Sequence, residues 1–136
     1  MKKTISIFTV VMCVLFFYSC KNKTQQLLTK KWDCVKVDNL DLGNEPAAGL
    51  QDSINNQKII AAMESLTWTF KDNHEYECSI AGRVTVQGSY GITEDGKTVV
   101  CTPSTKNSIN SYYIQTLTEN DLVLSSAPLV LHFKPH

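Results

Sequence analysis

From Leu66 onward, apolar and polar positions alternate with a period of two, the repeat of a strand with one buried and one wet face. Leu66, Trp68 and Phe70 alternate with Thr67, Thr69 and Lys71, and then Tyr76, Cys78 and Ile80 with Glu75, Glu77 and Ser79. Val84, Val86, Tyr90 and Ile92 form the apolar face of the next run, with Thr85, Gln87, Ser89 and Thr93 opposite and Gly88 as a bulge or kink. Turn residues separate the runs: Lys71 to His74, Ala81-Gly82 leading into Arg83, Glu94 to Gly96, the loop after Pro103, and Thr118 to Asp121. Val99 and Cys101, Tyr112 to Leu117, Leu122 to Ser125 and Leu129 to Lys134 complete the series, and the β-branched run from Trp32 to Asp38 precedes it. Eight strands result.

A helical period occurs once, after a loop from Asn39 to Gly49 that contains Gly43 and Pro46. Leu50, Ile54, Ile59, Ile60 and Met63 approximate helical spacing and predict a helix from about Asp52 to Ser65, with Asp52 or Ser53 as N-cap. Asn55, Asn56, Lys58 and Glu64 fall on the opposite face. Short strands in sequence, each with one apolar face, predict an all-β domain: an eight-stranded antiparallel up-and-down barrel with one helix between strands 1 and 2. Closing the sheet on itself removes its exposed edges.

The start of the chain follows a different pattern. Lys2 and Lys3 precede a mostly apolar stretch from Ile5 to Tyr18, the basic and hydrophobic parts of a secretory signal. At roughly 20 residues for a membrane span, the stretch is too short to cross, because a polar run begins at Lys21. Phe17-Tyr18-Ser19-Cys20 resembles a bacterial lipobox, which implies cleavage before Cys20 and acylation of its thiol. Buried acyl methylenes contribute about 0.8 kcal/mol each, so such an anchor is effectively permanent. The expected organisation is a signal peptide over 1–19, a lipidated polar tether over 20–26, and the barrel over 27–136. Lys21 and Asn22 carry no acidic export tag, so the expected location is the cell envelope, on the outer membrane facing the periplasm.

Several residues then carry a family resemblance. A Trp in strand one, a helix before strand two, Trp68-Thr-Phe70, Gly88-Ser-Tyr90 and the run Asp95-Gly-Lys-Thr-Val-Val resemble the lipocalin-like lipoprotein domains of Gram-negative bacteria, over Leu27 to Phe133. Lipocalins open with Gly-x-Trp, and Lys30 stands at that Gly position here, so no ligand residue is carried over. The resemblance implies a barrel whose interior accepts a small apolar molecule.

Charge and chemistry narrow the functions. The formal net charge is zero, and removal of the leader with Lys2 and Lys3 leaves a slightly acidic domain without a basic cluster, so nucleic acid is not an expected partner. Cys34, Cys78 and Cys101 each sit singly in a strand-like run and are read as small buried hydrophobes in preference to a disulfide, which export permits and which would leave one thiol over. His74, His132 and His136 stand apart as surface residues, and no zinc-binding spacing occurs. Glu75 and Glu77 share one strand face and are read as the wet side of a hairpin in preference to paired carboxylates or a cation site. Without a nucleophile elbow or a phosphate loop, no catalytic residue, metal or cofactor is expected, and an enzyme is not.

What remains is the barrel interior. Trp32, Trp68, Phe70, Tyr76 and Tyr90 fall on inward faces and either line a cavity or fill it; a barrel of this size permits both, and a solid core is the favoured reading. Ile59, Ile60 and Met63 are expected to cover one end of the barrel, as a fixed plug in preference to a movable lid. Two functions stay open: a membrane-tethered carrier of a small apolar ligand, or an envelope module with a solid core that binds a protein or glycan. A cavity of roughly 300 Å³ or more, open at one end, favours the carrier.

Overall fold

The computed structural model describes residues 21–40, 50–105 and 107–136, with the backbone alone for 50–54. The signal segment 1–19, Cys20 and the loop over 41–49 lie outside the described residues. The elements are α1 (residues 21–28), β1 (Lys31–Asp38), α2 (Leu50–Glu64), β2 (Leu66–Phe70), β3 (Glu75–Ile80), β4 (Arg83–Ile92), β5 (Thr98–Pro103), β6 (Asn110–Leu117), β7 (Leu122–Ser126) and β8 (Leu129–Pro135). The eight strands pair in chain order, all antiparallel, and β8 returns to β1 to close the barrel. Each strand is therefore paired on both sides, although Cys34 to Asp38 of β1 run on past β2 and Arg83 to Val86 of β4 past β5.

Alternation produces this arrangement directly. On β2, Leu66, Trp68 and Phe70 are buried, while Thr67 faces out and donates to the Asp33 carboxylate at 2.9 Å across β1. The β3–β4 reversal is a two-residue turn with Ala81 at φ 49 and Gly82 at φ 77, the left-handed pair whose twist matches a hairpin. Thr93 and Asp95 close the β4–β5 turn through their side chains, 2.6 Å apart.

One end of the barrel is closed by α1. A polar tether was expected at Lys21 to Gln26, and these residues are helical instead. So short a helix is marginal in isolation; its partners on the barrel hold it. The Thr24 hydroxyl donates to the Gly96 carbonyl at 3.2 Å, and the Gln25 amide donates to the Tyr90 hydroxyl at 2.7 Å, which in turn donates to the Lys71 carbonyl. Leu28 is fully buried, and its carbonyl accepts the Trp32 indole N–H at 2.9 Å.

The helix α2 begins at Leu50, so Asp52 and Ser53 lie inside it and neither is the N-cap. Its packing also departs from expectation. Ile59 and Ile60 are 44% and 38% exposed, and of the three expected cover residues only Met63 packs on the core. The helix lies against β1 and meets the barrel near its C-terminal turn, where Ser65 leads into β2 and accepts the Ala81 N–H. It stands beside the barrel end and does not plug it.

Bulges correct the sequence reading once more. On β4, Val86 pairs with Cys78 and Val84 with Ser79, leaving Thr85 as the extra residue. Val84 therefore points outward, 53% exposed, although simple alternation put it inside. Gly88 keeps the regular ladder, facing Tyr76 on one side and Pro103 on the other.

Candidate functional site

The barrel interior divides into two halves. Toward α1, the residues Trp32, Phe70, Phe133, Leu28, Leu122 and Val99 are buried to 1% exposure or less and leave a solid core. Phe70 meets Tyr90 edge to face, with centroids 5.0 Å apart. Trp68 forms the boundary layer: its ring lies 5.7 Å from those of Phe70 and Phe133 and meets Tyr112 edge-on at 5.0 Å.

Beyond Trp68 lies a cavity of about 460 Å³. Trp68, Tyr76 and Tyr112 form its floor, and Leu66, Cys78, Ile80, Val86 and Cys101 its walls. At the rim, Thr85 joins Pro103, Thr105, Ser108 and Asn110 from the end of β5, the β5–β6 connection and the start of β6. No charged side chain and no residue of α2 lines it among the described residues. Of the five aromatic residues read as inward, the structure places Trp68 and Tyr76 at this cavity, and Trp32, Phe70 and Tyr90 in the solid half. The favoured solid core thus holds for one half of the barrel only.

Burial sets the protonation of the floor and walls. It pushes the Cys78 and Cys101 thiols up to about 12, Tyr112 to about 12 and Cys34 to about 11, and raises Tyr76 further. All three described cysteines are free and buried, and at neutral pH their thiols are neutral and poor nucleophiles. The Trp68 indole N–H has no nitrogen or oxygen partner among the described residues, an orphaned donor at the cavity floor.

A second hollow, about 530 Å³ and more open, lies outside the barrel where Lys23, Gln26, Leu27 and Lys30 face Glu119, Asn120 and Pro135. It is a solvent-facing groove beside α1, where the Lys30 ammonium donates to the Glu119 carbonyl at 3.1 Å. The histidines do not assemble into a centre: His132 meets Asp38 at 2.8 Å, His136 meets Asp33 at 2.7 Å, and His74 lies against Tyr90. The Lys71 ammonium takes the Glu77 carboxylate at 2.6 Å on the wet face of β3. Among the described residues no group of three or more His, Cys, Asp or Glu is placed to hold a metal ion.

Solved structures share this architecture. A lipocalin-like protein from Bacteroides uniformis matches with a TM-score of 0.56 at 12% identity, over 81% of this chain and 99% of its own. The fold is lipocalin-like. A DUF4847 family protein from Bacteroides vulgatus matches with a TM-score of 0.52 at 15% identity, over 79% of this chain and 93% of its own. No family model matches the sequence, and no curated protein does. At these identities the likeness is one of fold, and the cavity has to be read from this chain's own residues.

Sequence reasoning missed Thr85, Thr105, Ser108, Asn110 and Tyr112 as lining residues. Thr85 was assigned to the outer face, and the bulge turns it in. Tyr112 was legible in principle, since it shares strand parity with Ile114, which packs on the core. The rim residues of the β5–β6 connection carry no periodic signal.

Proposed function

We propose that this protein is a membrane-tethered, lipocalin-like binding protein that takes a small apolar molecule into the mouth half of its barrel. The cavity carries the reading. At about 460 Å³ it lies within the roughly 300–1,000 Å³ of small-molecule sites and is lined by aromatic and aliphatic side chains with a few polar groups at the rim. An interaction module with a solid barrel has no use for that space, and the closed half shows that this sequence can fill a barrel where filling is needed. The neutral thiols and phenols along the cavity suit binding better than covalent chemistry.

The tether rests on the leader and the Ser19-Cys20 pair. Because α1 follows Cys20 directly and is bonded to the closed end, an acyl anchor there holds the closed end toward the membrane and turns the mouth away from it. On an outer membrane facing the periplasm, ligand then enters from the periplasmic side. Cys20→Ser should abolish incorporation of an alkyne fatty acid, and undiminished label in that variant would sink the tether.

The cavity has its own test. Protein purified from its host should retain an apolar molecule in native mass spectrometry. Val86→Trp, which fills the cavity from its wall, should release that molecule while the barrel still folds, at a cost of about 1–3 kcal/mol for overpacking. A mass identical to the bare polypeptide in both proteins, and no uptake of dodecanol by either, would defeat the carrier reading.

A further inference from the structure

The groove beside α1 is charged where the barrel cavity is not. Gln26 and Leu27 lie three and four residues after Lys23, so the three share one face of α1, and Lys30 follows just beyond its end. Opposite them stand Glu119 and Asn120 of the β6–β7 turn, with Pro135 at the end of β8. The Lys30 ammonium is fixed there, 3.1 Å from the Glu119 carbonyl and 5.1 Å from the centre of the Trp32 ring. Neither Lys23 nor the Glu119 carboxylate forms an ion pair among the described residues. Asp121, two residues on in the same turn, is taken by Lys134. The groove therefore presents two ammonium groups and one carboxylate, with none of the three paired to another.

Its place in the chain says what it meets. Cys20 is three residues before Lys23, and three residues reach at most about 10 Å, so an acyl anchor at Cys20 holds the groove beside the headgroup layer. Resting on the tether reading above, we propose that the groove binds a phosphoethanolamine headgroup of the membrane that carries the anchor, with the phosphate on Lys23 and Lys30 and the ammonium on Glu119. A purely anionic headgroup satisfies the lysines and leaves Glu119 facing like charge. A choline headgroup has both charges, but its quaternary nitrogen carries no N–H, whereas a primary ammonium donates up to three hydrogen bonds and those to a carboxylate are charge-assisted. The Gln26 and Asn120 amides flank the same space. One acyl anchor leaves the barrel free to pivot; this second contact fixes the closed end on the bilayer and the cavity mouth away from it.

The test uses the mature chain from Cys20 without acyl groups, so that binding reads the groove and not lipid insertion. Vesicles are phosphatidylcholine alone, or phosphatidylcholine mixed equally with phosphatidylethanolamine or phosphatidylglycerol. Co-sedimentation at physiological ionic strength should favour the ethanolamine vesicles over pure phosphatidylcholine by about two- to fivefold, the range of one exposed ion pair. Glu119→Gln should remove that preference, and Lys23→Gln should weaken binding to all three kinds of vesicle; both side chains are exposed, so neither change should move the thermal midpoint. Glu75→Gln, on β3 and away from the groove, should leave the preference intact, and millimolar inorganic phosphate should not displace the protein. Strongest binding to the glycerol vesicles, equal binding to all three, a preference that survives Glu119→Gln, or full displacement by phosphate would overturn the assignment. Incorporation of an alkyne fatty acid at Cys20 reads the tether separately. A labelled protein without the ethanolamine preference sinks the headgroup site alone, and an unlabelled one sinks the tether and this inference together.

Discussion

Trp32→Ala should lower the stability of the domain by on the order of 3–5 kcal/mol, a large fraction of the total for a domain of this size. Trp32 is fully buried, so truncation leaves a cavity in the solid half of the barrel, where neighbouring rings are already fixed. It also removes the indole N–H that bonds the Leu28 carbonyl and ties α1 to β1. Two losses therefore coincide, one of packing and one of the contact that keeps the closed end covered. Denaturant unfolding followed by circular dichroism gives the magnitude, and amide exchange over residues 21–28 gives the second effect. A midpoint within experimental error of the wild type would show that α1 and Trp32 contribute little to the closed end.

Gly88→Ala should cost about 3 kcal/mol or more, at the upper end of overpacking effects. A Cβ added there would lie 2.1 Å from the Thr102 carbonyl oxygen and 2.8 Å from the Pro103 Cα. Both are backbone atoms of β5, which cannot rotate aside as a side chain can, so the β4–β5 ladder has to open. The same two strands carry Val86, Cys101 and Pro103 of the cavity, and ligand uptake should fall with stability. Gly91 provides the control in the same strand: a Cβ there meets nothing within 4 Å, and Gly91→Ala should change stability by only about 0.5 kcal/mol. Equal losses from the two substitutions would contradict the close approach of β4 and β5.

These two positions differ in how legible they are. Trp32 was assigned inward from its strand pattern, and it is buried. Gly88 was read as a bulge or kink because glycine in a strand has that meaning often. Its actual role depends on how near another strand passes, a distance no local pattern records. The same limit applies to α1. Its polar residues show no helical period, and the atoms that hold it belong to Tyr90 and Gly96, far along the chain.

The sequence by itself determined the strand count, the antiparallel order, the helix between strands 1 and 2, and the inward placement of Trp32, Trp68, Phe70, Tyr76 and Tyr90, because a strand's two faces are set by a repeat of neighbouring residues. Only the tertiary structure decided that Ile59 and Ile60 stay exposed, that the barrel is solid at one end and hollow at the other, and that Thr85 reaches the cavity while Val84 turns outward. Filling is a balance of side-chain volume against barrel width, summed over all eight strands, and a bulge is a mismatch between two strands whose partners are unknown until they pair. One extra residue at Thr85 reverses the facing of every side chain from there to the hairpin.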